Sequence, residues 1–300
     1  MSSLSELFAR SGTLLLDGAL GTELAHRGVG TALPLWSAAA LDSDPDTVGA
    51  IHRDYRDAGA HIITTNSFRT TTYTYQLAGA AEADARERAR RATRLAVRLA
   101  RQAADERTLV AGSVAPVGDC YSPGAYPGDR VAATTYGELV GWLAHDGVDL
   151  LLLETHITLA EANIALRAAT ATGLPTLVSF LVDGALRLWG GAPLSAAIAD
   201  AEQGGAQGVL INCVTLPVAR LGVAALARMT SLPFGVYANA GRAQPTVEGT
   251  LDELVPDNEF LVNVDQWLAV GARMIGGCCG TTPATISALA QHLSNLDKIG

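Results

Sequence analysis

Eight short apolar runs recur along the chain, at residues 13–17, 61–65, 108–113, 148–154, 175–181, 209–212, 234–237 and 273–276. Each gives way to a turn and then to a segment whose apolar residues return every three or four positions. Runs that are apolar throughout, rather than alternating, belong to strands covered on both faces, as in parallel sheets. Eight such strands alternating with helices, in a chain of this length, predict an α/β fold, a (β/α)8 TIM barrel. The rival is an open doubly wound sheet. Its Gly-x-Gly-x-x-Gly turn is missing after the first run, where Gly18-Ala-Leu-Gly21 has the wrong spacing.

The helices between the runs carry their own punctuation. Asp44 can cap a helix that Pro45 opens, with Val48, Ile51, His52 and Tyr55 on one face. Residues 80–104 form a long helix with an apolar stripe at Ala85, Ala89, Ala92, Ala96, Leu99 and Ala103. The arginines opposite (Arg86, Arg90, Arg94, Arg101) read as a solvated face. Thr158-Leu-Ala-Glu161 has the form of a capping box. Helices follow at 195–204 and 217–229, and Pro283 starts the last, running to about residue 296. Two loops, 118–129 and 238–260, are longer than the rest. In a barrel both lie on the C-terminal face, where such folds keep their sites. With no repeat, low-complexity tract or linker, residues 1–300 read as one domain.

Composition narrows the function classes. Of 300 residues 49% are hydrophobic and 17% charged, enough for a large core. A formal charge of −9 argues against a nucleic-acid binder. No apolar run is long enough to cross a membrane, and the start, with Glu6, does not read as a signal peptide. Four cysteines in so long a chain are no disulfide framework, so a reducing, cytoplasmic setting is expected. A monomer or small homo-oligomer fits.

Polar residues then appear where the apolar runs end: Asp17, Thr64 to Asn66, Ser113, Glu154, Ser179, Asn212, Tyr237 with Asn239, and the cysteines. A carboxylate ending a run of four leucines, as Glu154 does, needs a partner when buried. Asp17 and Glu154 can form an acid/base pair or receive an ammonium group; Asp17 can equally cap a turn before Gly18. The most distinctive stretch is Gly276-Gly-Cys-Cys-Gly280, with Cys213 ending another apolar run. Neighbouring strand side chains point to opposite faces, so glycines are needed to turn both sulfurs toward one ion. Three thiolates with an open fourth position describe a catalytic zinc site; buried structural cysteines are the plain alternative. His156 is a possible fourth ligand but reads better as a loop histidine, Cys120 as a loop cysteine. Trp36 can cover a ligand or pack under a loop.

Taken together, Leu15-Leu-Asp-Gly-Ala-Leu-Gly-Thr-Glu-Leu24, Leu35-Trp-Ser37, Ile63-Thr-Thr-Asn-Ser-Phe68, Leu152-Leu-Glu-Thr155, Ile211-Asn-Cys213 and Gly276-Gly-Cys-Cys-Gly280 resemble the homocysteine S-methyltransferases, over residues 13 to 293. The resemblance implies a zinc-bearing (β/α)8 barrel that methylates homocysteine to methionine. Cys213, Cys278 and Cys279 match its zinc ligands. Asp17, Gly18, Thr65 and Glu154 match positions that hold the amino-acid part of homocysteine, and Asn212 is grouped with them. The chain looks most like the compact bacterial branch that uses S-methylmethionine. Arg69 and Thr155 stand where the betaine-using branch has tyrosines, and the C-terminal extension of that branch is missing.

These expectations lead to a sulfonium donor, S-methylmethionine ahead of S-adenosylmethionine, for which Tyr121 and Tyr126 offer a stacking platform. A sulfonium leaves as a neutral thioether, whereas methylfolate needs an acid, and His156 is the only candidate near the rim. Methylfolate or betaine as donor, another thiol or selenol as acceptor, and a non-catalytic zinc- or thiol-binding protein are the alternatives. A zinc hydrolase fits poorly, since it calls for histidine or carboxylate ligands.

Overall fold

A computed structural model describes residues 4–246, 251 and 253–297. Eight strands form one all-parallel sheet: β1 (Leu14–Leu15), β2 (Ile62–Thr64), β3 (Leu109–Val114), β4 (Leu150–His156), β5 (Thr176–Phe180), β6 (Gly208–Asn212), β7 (Phe234–Ala238) and β8 (Met274–Gly277). Neighbours pair in sequence order, and β1 pairs with β8 through Leu14 opposite Met274. On its other side β1 reaches β2 through a bridge between Leu16 and Ile62. The His61 amide donates to the Leu15 carbonyl (2.7 Å) and the Asp17 amide to the Ile62 carbonyl (3.0 Å), which closes the ring. This is the (β/α)8 barrel the apolar runs predict.

The strands are apolar on both faces because each face meets a different core. Leu14, Leu16, Ile62, Leu109, Ala111, Leu150, Leu152, Leu177, Leu210 and Met274 pack together inside the ring. The residues between them, such as Leu15, Ile63, Val110, Leu151, Val178, Val209 and Ile275, join the larger core under the helices. The N-terminal end of the ring is stopped by a helix, Leu4–Ser11, whose Leu4 and Phe8 pack against the interior cluster.

The outer helices largely follow their signals. The Asp44 carboxylate accepts from the Thr47 amide (3.2 Å) at the start of Pro45–Asp57. Helix Glu82–Ala103 buries the expected alanines, but its stripe is centred on Val97 and Ala100 rather than on Leu99, which is only partly buried. The capping box does not form. Thr158 makes no side-chain cap and its hydroxyl has no partner. Glu161 is drawn away to accept from the Val117 amide (2.8 Å) and the Tyr136 hydroxyl (2.9 Å). Two buried donors outcompete one helix terminus, and the carboxylate thereby fixes the chain just before the 118–129 loop. In the 238–260 loop a bridge joins Gly241 to Leu254, and Arg242 pairs with Glu259 at 3.0 Å. Residues 247–250 and 252 of this loop lie outside the described residues.

Candidate active site

The rim at the C-terminal ends of the strands opens into a cavity of about 1040 Å3, counting its mouth. Asp17, Gly18, Thr64, Thr65, Ser113, Glu154, Tyr237 and all four cysteines line it, together with Trp36, Phe68, Arg69 and Tyr121. The strand-end prediction therefore holds for most of its residues. Ser179, Asn212 and Asn239 are fully buried behind the wall instead.

The Sγ atoms of Cys213, Cys278 and Cys279 lie within 4.8 Å of one another. Cys213 and Cys279 are 3.9 Å apart, close to the roughly 3.8 Å that separates two sulfurs each 2.3 Å from a tetrahedral ion. How two adjacent cysteines reach one point is visible in the backbone. The Thr281 amide donates to the Cys278 carbonyl (3.0 Å), and Gly280 sits at φ +80°. A positive φ at the third residue is the mark of a type II turn, which glycine adopts without strain. The Thr281 hydroxyl donates to the same carbonyl (2.7 Å) and accepts from the Ala19 amide (3.2 Å), tying the turn to the end of β1. Contacts among the three sulfurs act in both directions, and together with burial, which raises all three, they leave these thiols well above the ordinary thiol range. A cation among them reverses that, because it supplies the charge that burial withholds. The donor set and spacing thus suit a thiophilic metal ion.

Strain gathers beside this cluster. Cys213 has φ +56° and Thr155 φ +61°; neither residue type favours the left-handed region, which costs about 1–3 kcal/mol each. The register of β4 against β5 shifts between Leu153 and His156, so Thr155 sits in a bulge. Asn212 holds it there. Its Oδ1 accepts from the Thr155 amide (3.0 Å) and the Ser179 hydroxyl (2.7 Å), and its Nδ2 donates to the Thr155 hydroxyl (2.8 Å). Its side chain is spent on bracing the bulge that presents Glu154 to the cavity.

The two carboxylates are the second feature. Asp17 accepts from the Thr64 amide (2.7 Å) and hydroxyl (3.0 Å). Burial raises its pKa to about 7, against those hydrogen bonds and with help from the charge of Glu154. Glu154 accepts from the Ser113 hydroxyl. Burial lifts its pKa to about 7 as well; the Tyr237 hydroxyl comes near enough to lower it, though not in hydrogen-bond alignment. Two like charges with no ion-pair partner among the described residues favour an ammonium ligand. Thr65 ties the wall together, accepting from the Ser113 amide (3.1 Å) and sharing a hydrogen bond with Ser67 (2.7 Å). A side chain on Gly18 would meet Thr281 and Tyr55 at 2.8 Å, so glycine alone lets the chain pass there.

The remaining candidates separate. His156 is fully buried, packs against Tyr136 with ring centroids 6.1 Å apart and does not line the cavity; burial lowers its pKa to about 4. Ending β4 rather than starting a loop, it faces away because the bulge reverses the alternation. Trp36 does face the cavity and meets Phe68 edge-on at 5.4 Å. Tyr121 touches the sulfur cluster, its hydroxyl 2.8 Å from Cys213 Sγ, and its ring rests on Trp189 at 5.6 Å. Tyr126 instead donates to Asp129 (2.7 Å), outside the cavity lining. Trp189, on the turn after β5, has one signal in the sequence, an aromatic set in Leu-Trp-Gly-Gly.

The model of the homocysteine S-methyltransferase family matches residues 14–293. Homocysteine S-methyltransferase of Escherichia coli is 34% identical over 95% of this chain and 97% of its own. Homocysteine S-methyltransferase 4 of Zea mays is 30% identical over 93% of this chain and 89% of its own. The crystal structure of the E. coli homocysteine methyltransferase MmuM in its metallated form superposes with a TM-score of 0.83, covering 96% of this chain and 99% of that one. No helix among the described residues is long and apolar enough to cross a membrane. With its barrel closed, its three sulfurs gathered and the family model spanning nearly its whole length, this chain belongs to the homocysteine S-methyltransferase family.

Proposed function

We propose that this protein transfers a methyl group from a sulfonium donor to the sulfur of L-homocysteine, giving methionine, with zinc held by Cys213, Cys278 and Cys279. The carrying observation is that three sulfurs within 4.8 Å share one cavity with two carboxylates. Homocysteine has a thiol at one end and an ammonium at the other. Zinc bound to three thiolates keeps a substrate sulfur ionised near neutral pH. Asp17 and Glu154 receive the ammonium, and Gly18 and Thr65 border the amino-acid end. Thr64 and Ser113 fix the carboxylates by hydrogen bonds, so the acceptor is aligned before the donor arrives.

In the transfer the sulfur lone pair forms a bond to the methyl carbon. The carbon–sulfonium bond breaks, and its electron pair stays on the departing thioether. Charge cancels and no proton moves. Methylfolate calls for an acid at the leaving nitrogen. His156, buried outside the cavity and neutral at pH 7, does not serve, and Asp17 and Glu154 are ionised by the ammonium they hold. S-methylmethionine is the first donor. S-adenosylmethionine is second, with the Tyr121 and Trp36 rings as surfaces for adenine. The test is metal analysis of the freshly reduced protein, together with steady-state kinetics at saturating homocysteine. S-methylmethionine, S-adenosylmethionine, methylfolate and betaine are offered in turn. Zinc near one per chain and turnover with a sulfonium support the reading; turnover with methylfolate or betaine alone overturns the donor.

A further inference from the structure

Arg69 lines the same cavity and is only 8% exposed. One N–H, on Nη1, donates to the Gly118 carbonyl at 2.5 Å, and the buried Nε has no acceptor. The guanidinium lies 5.5 Å from the centre of the Phe68 ring. Among the described residues it forms no ion pair. A guanidinium offers five donors, so one carbonyl leaves most of its capacity unmet. Holding Gly118 needs only a neutral amide. Burying a cation for that purpose carries a desolvation cost that an incoming anion would offset.

The position of Arg69 tells which anion. Its charge acts on Cys120 and Glu161, on the side of the 118–129 loop. Asp17 and Glu154 bear on each other and are bound by Thr64 and Ser113, and Glu154 also acts on Cys120. The cavity thus holds a carboxylate pair already tied to its wall, a sulfur cluster, and a guanidinium whose one hydrogen bond among the described residues is to Gly118. Resting on the reading above, homocysteine takes the carboxylate pair and the cluster, which leaves Arg69 to the second substrate.

We propose that Arg69 is a specificity-determining residue whose guanidinium receives the carboxylate of the methyl donor, so that the enzyme selects a sulfonium amino acid over a bare sulfonium. A planar guanidinium presents two parallel N–H groups to a carboxylate while its face stays on Phe68. That contact sets the distance between the donor's carboxylate and the sulfur cluster, and so delivers the sulfonium methyl to the acceptor.

The experiment compares S-methyl-L-methionine with 3-aminopropyl(dimethyl)sulfonium, the same donor lacking its carboxylate, in wild type, Arg69→Met and Arg69→Lys. Metal content and homocysteine affinity are measured in each. Wild type should prefer the carboxylate donor by about 10- to 100-fold in kcat/KM, the range of a charge-assisted pair. Arg69→Met should lose that preference through a raised KM for S-methylmethionine, with homocysteine affinity, metal content and turnover of the decarboxylated donor unchanged. Arg69→Lys should recover part of it. An equal fall for both donors would mean that Arg69 only shapes the loop, and would overturn the proposal. So would a wild type indifferent to the carboxylate. A weakened homocysteine affinity would place Arg69 on the acceptor instead. Turnover with no sulfonium at all would overturn the donor reading as well as this one.

Discussion

The two ends of this barrel are built by opposite rules. At the N-terminal end the interior leucines are stopped by Leu4 and Phe8 from an eight-residue helix, and apolar surface meets apolar surface. At the C-terminal end three thiols share one point, two carboxylates are held near pKa 7, Arg69 forms no ion pair among the described residues, and Thr155 and Cys213 stand in the left-handed region. Each feature at this end raises the free energy of the empty protein. On the function proposed above, ligands would relieve three of them: a metal ion for the thiols, an ammonium for the carboxylates, an anion for the arginine. One end stabilises the fold, and the other draws on that stability to hold groups ready for binding.

The largest test of this contrast is Cys213→Ser. It should remove the metal and lower methyl transfer on the order of 10³-fold, the loss expected when a Lewis-acid site worth several kcal/mol is emptied. Secondary structure by circular dichroism should persist, because serine nearly matches cysteine in size and leaves the packing around residue 213 in place. A variant that keeps both metal and rate would show that Cys213 is not a ligand.

Next is the pH dependence of stability in metal-free, reduced protein. Asp17 ionises at about 7 in the fold and at an ordinary 3.8 outside it. A raised carboxylate pKa means the folded state binds the proton more tightly than the unfolded one. Its contribution to stability is therefore complete below about pH 4 and lost as pH rises through about 7. Asp17→Asn should match wild type at low pH and exceed it by roughly 2–4 kcal/mol at pH 8. Thermal unfolding at both pH values decides; a variant no more stable at pH 8 would show that the buried charge costs little. Smaller again is Glu154→Gln, which should weaken homocysteine by about 10- to 100-fold through loss of a charge-assisted contact. Calorimetric titration and metal analysis read it, and loss of metal would move Glu154 from the amino-acid pocket to the metal.

The sequence announced the two ends unequally. Parallel strands covered on both faces show as unbroken apolar runs, so the ring and its order were legible. Cys278-Cys279 beside glycine, and carboxylates ending apolar runs, stood out because such residues have no place in a core without a partner. What the sequence leaves hidden depends on contacts between distant segments. Asn212 ends a strand as a binding residue would, yet it braces a bulge at Thr155, a residue type that gives no hint of a positive φ. Glu161 has capping-box spacing, yet Val117 and Tyr136 claim it. Of two loop tyrosines only Tyr121 reaches the cluster. The plug helix is too short for its periodicity to register.

The smallest expected effect lies at the plug, where the contrast is sharpest. Phe8 is partly buried against the interior cluster, and the Arg273 guanidinium sits 4.9 Å from its ring. Arg273 also donates to the Gly12 carbonyl (2.8 Å) and the Phe8 carbonyl (3.0 Å), so the helix is anchored through its backbone as well. Removing the ring forfeits apolar burial and a cation–π contact but leaves those two hydrogen bonds. Because Phe8 is only partly covered, Phe8→Ala should cost about 1–2 kcal/mol, less than the 3–5 kcal/mol of a fully buried aromatic. The geometry of the rim is held locally, by Asn212 for the strained Thr155 and by Thr281 for the cysteine turn. The loss at the plug should therefore leave metal content and kcat/KM for both substrates unchanged, while the denaturant midpoint falls with its slope unaltered. A parallel loss of metal or of kcat/KM would mean that strain at the rim is braced through the whole barrel, and the division between the two ends would fail.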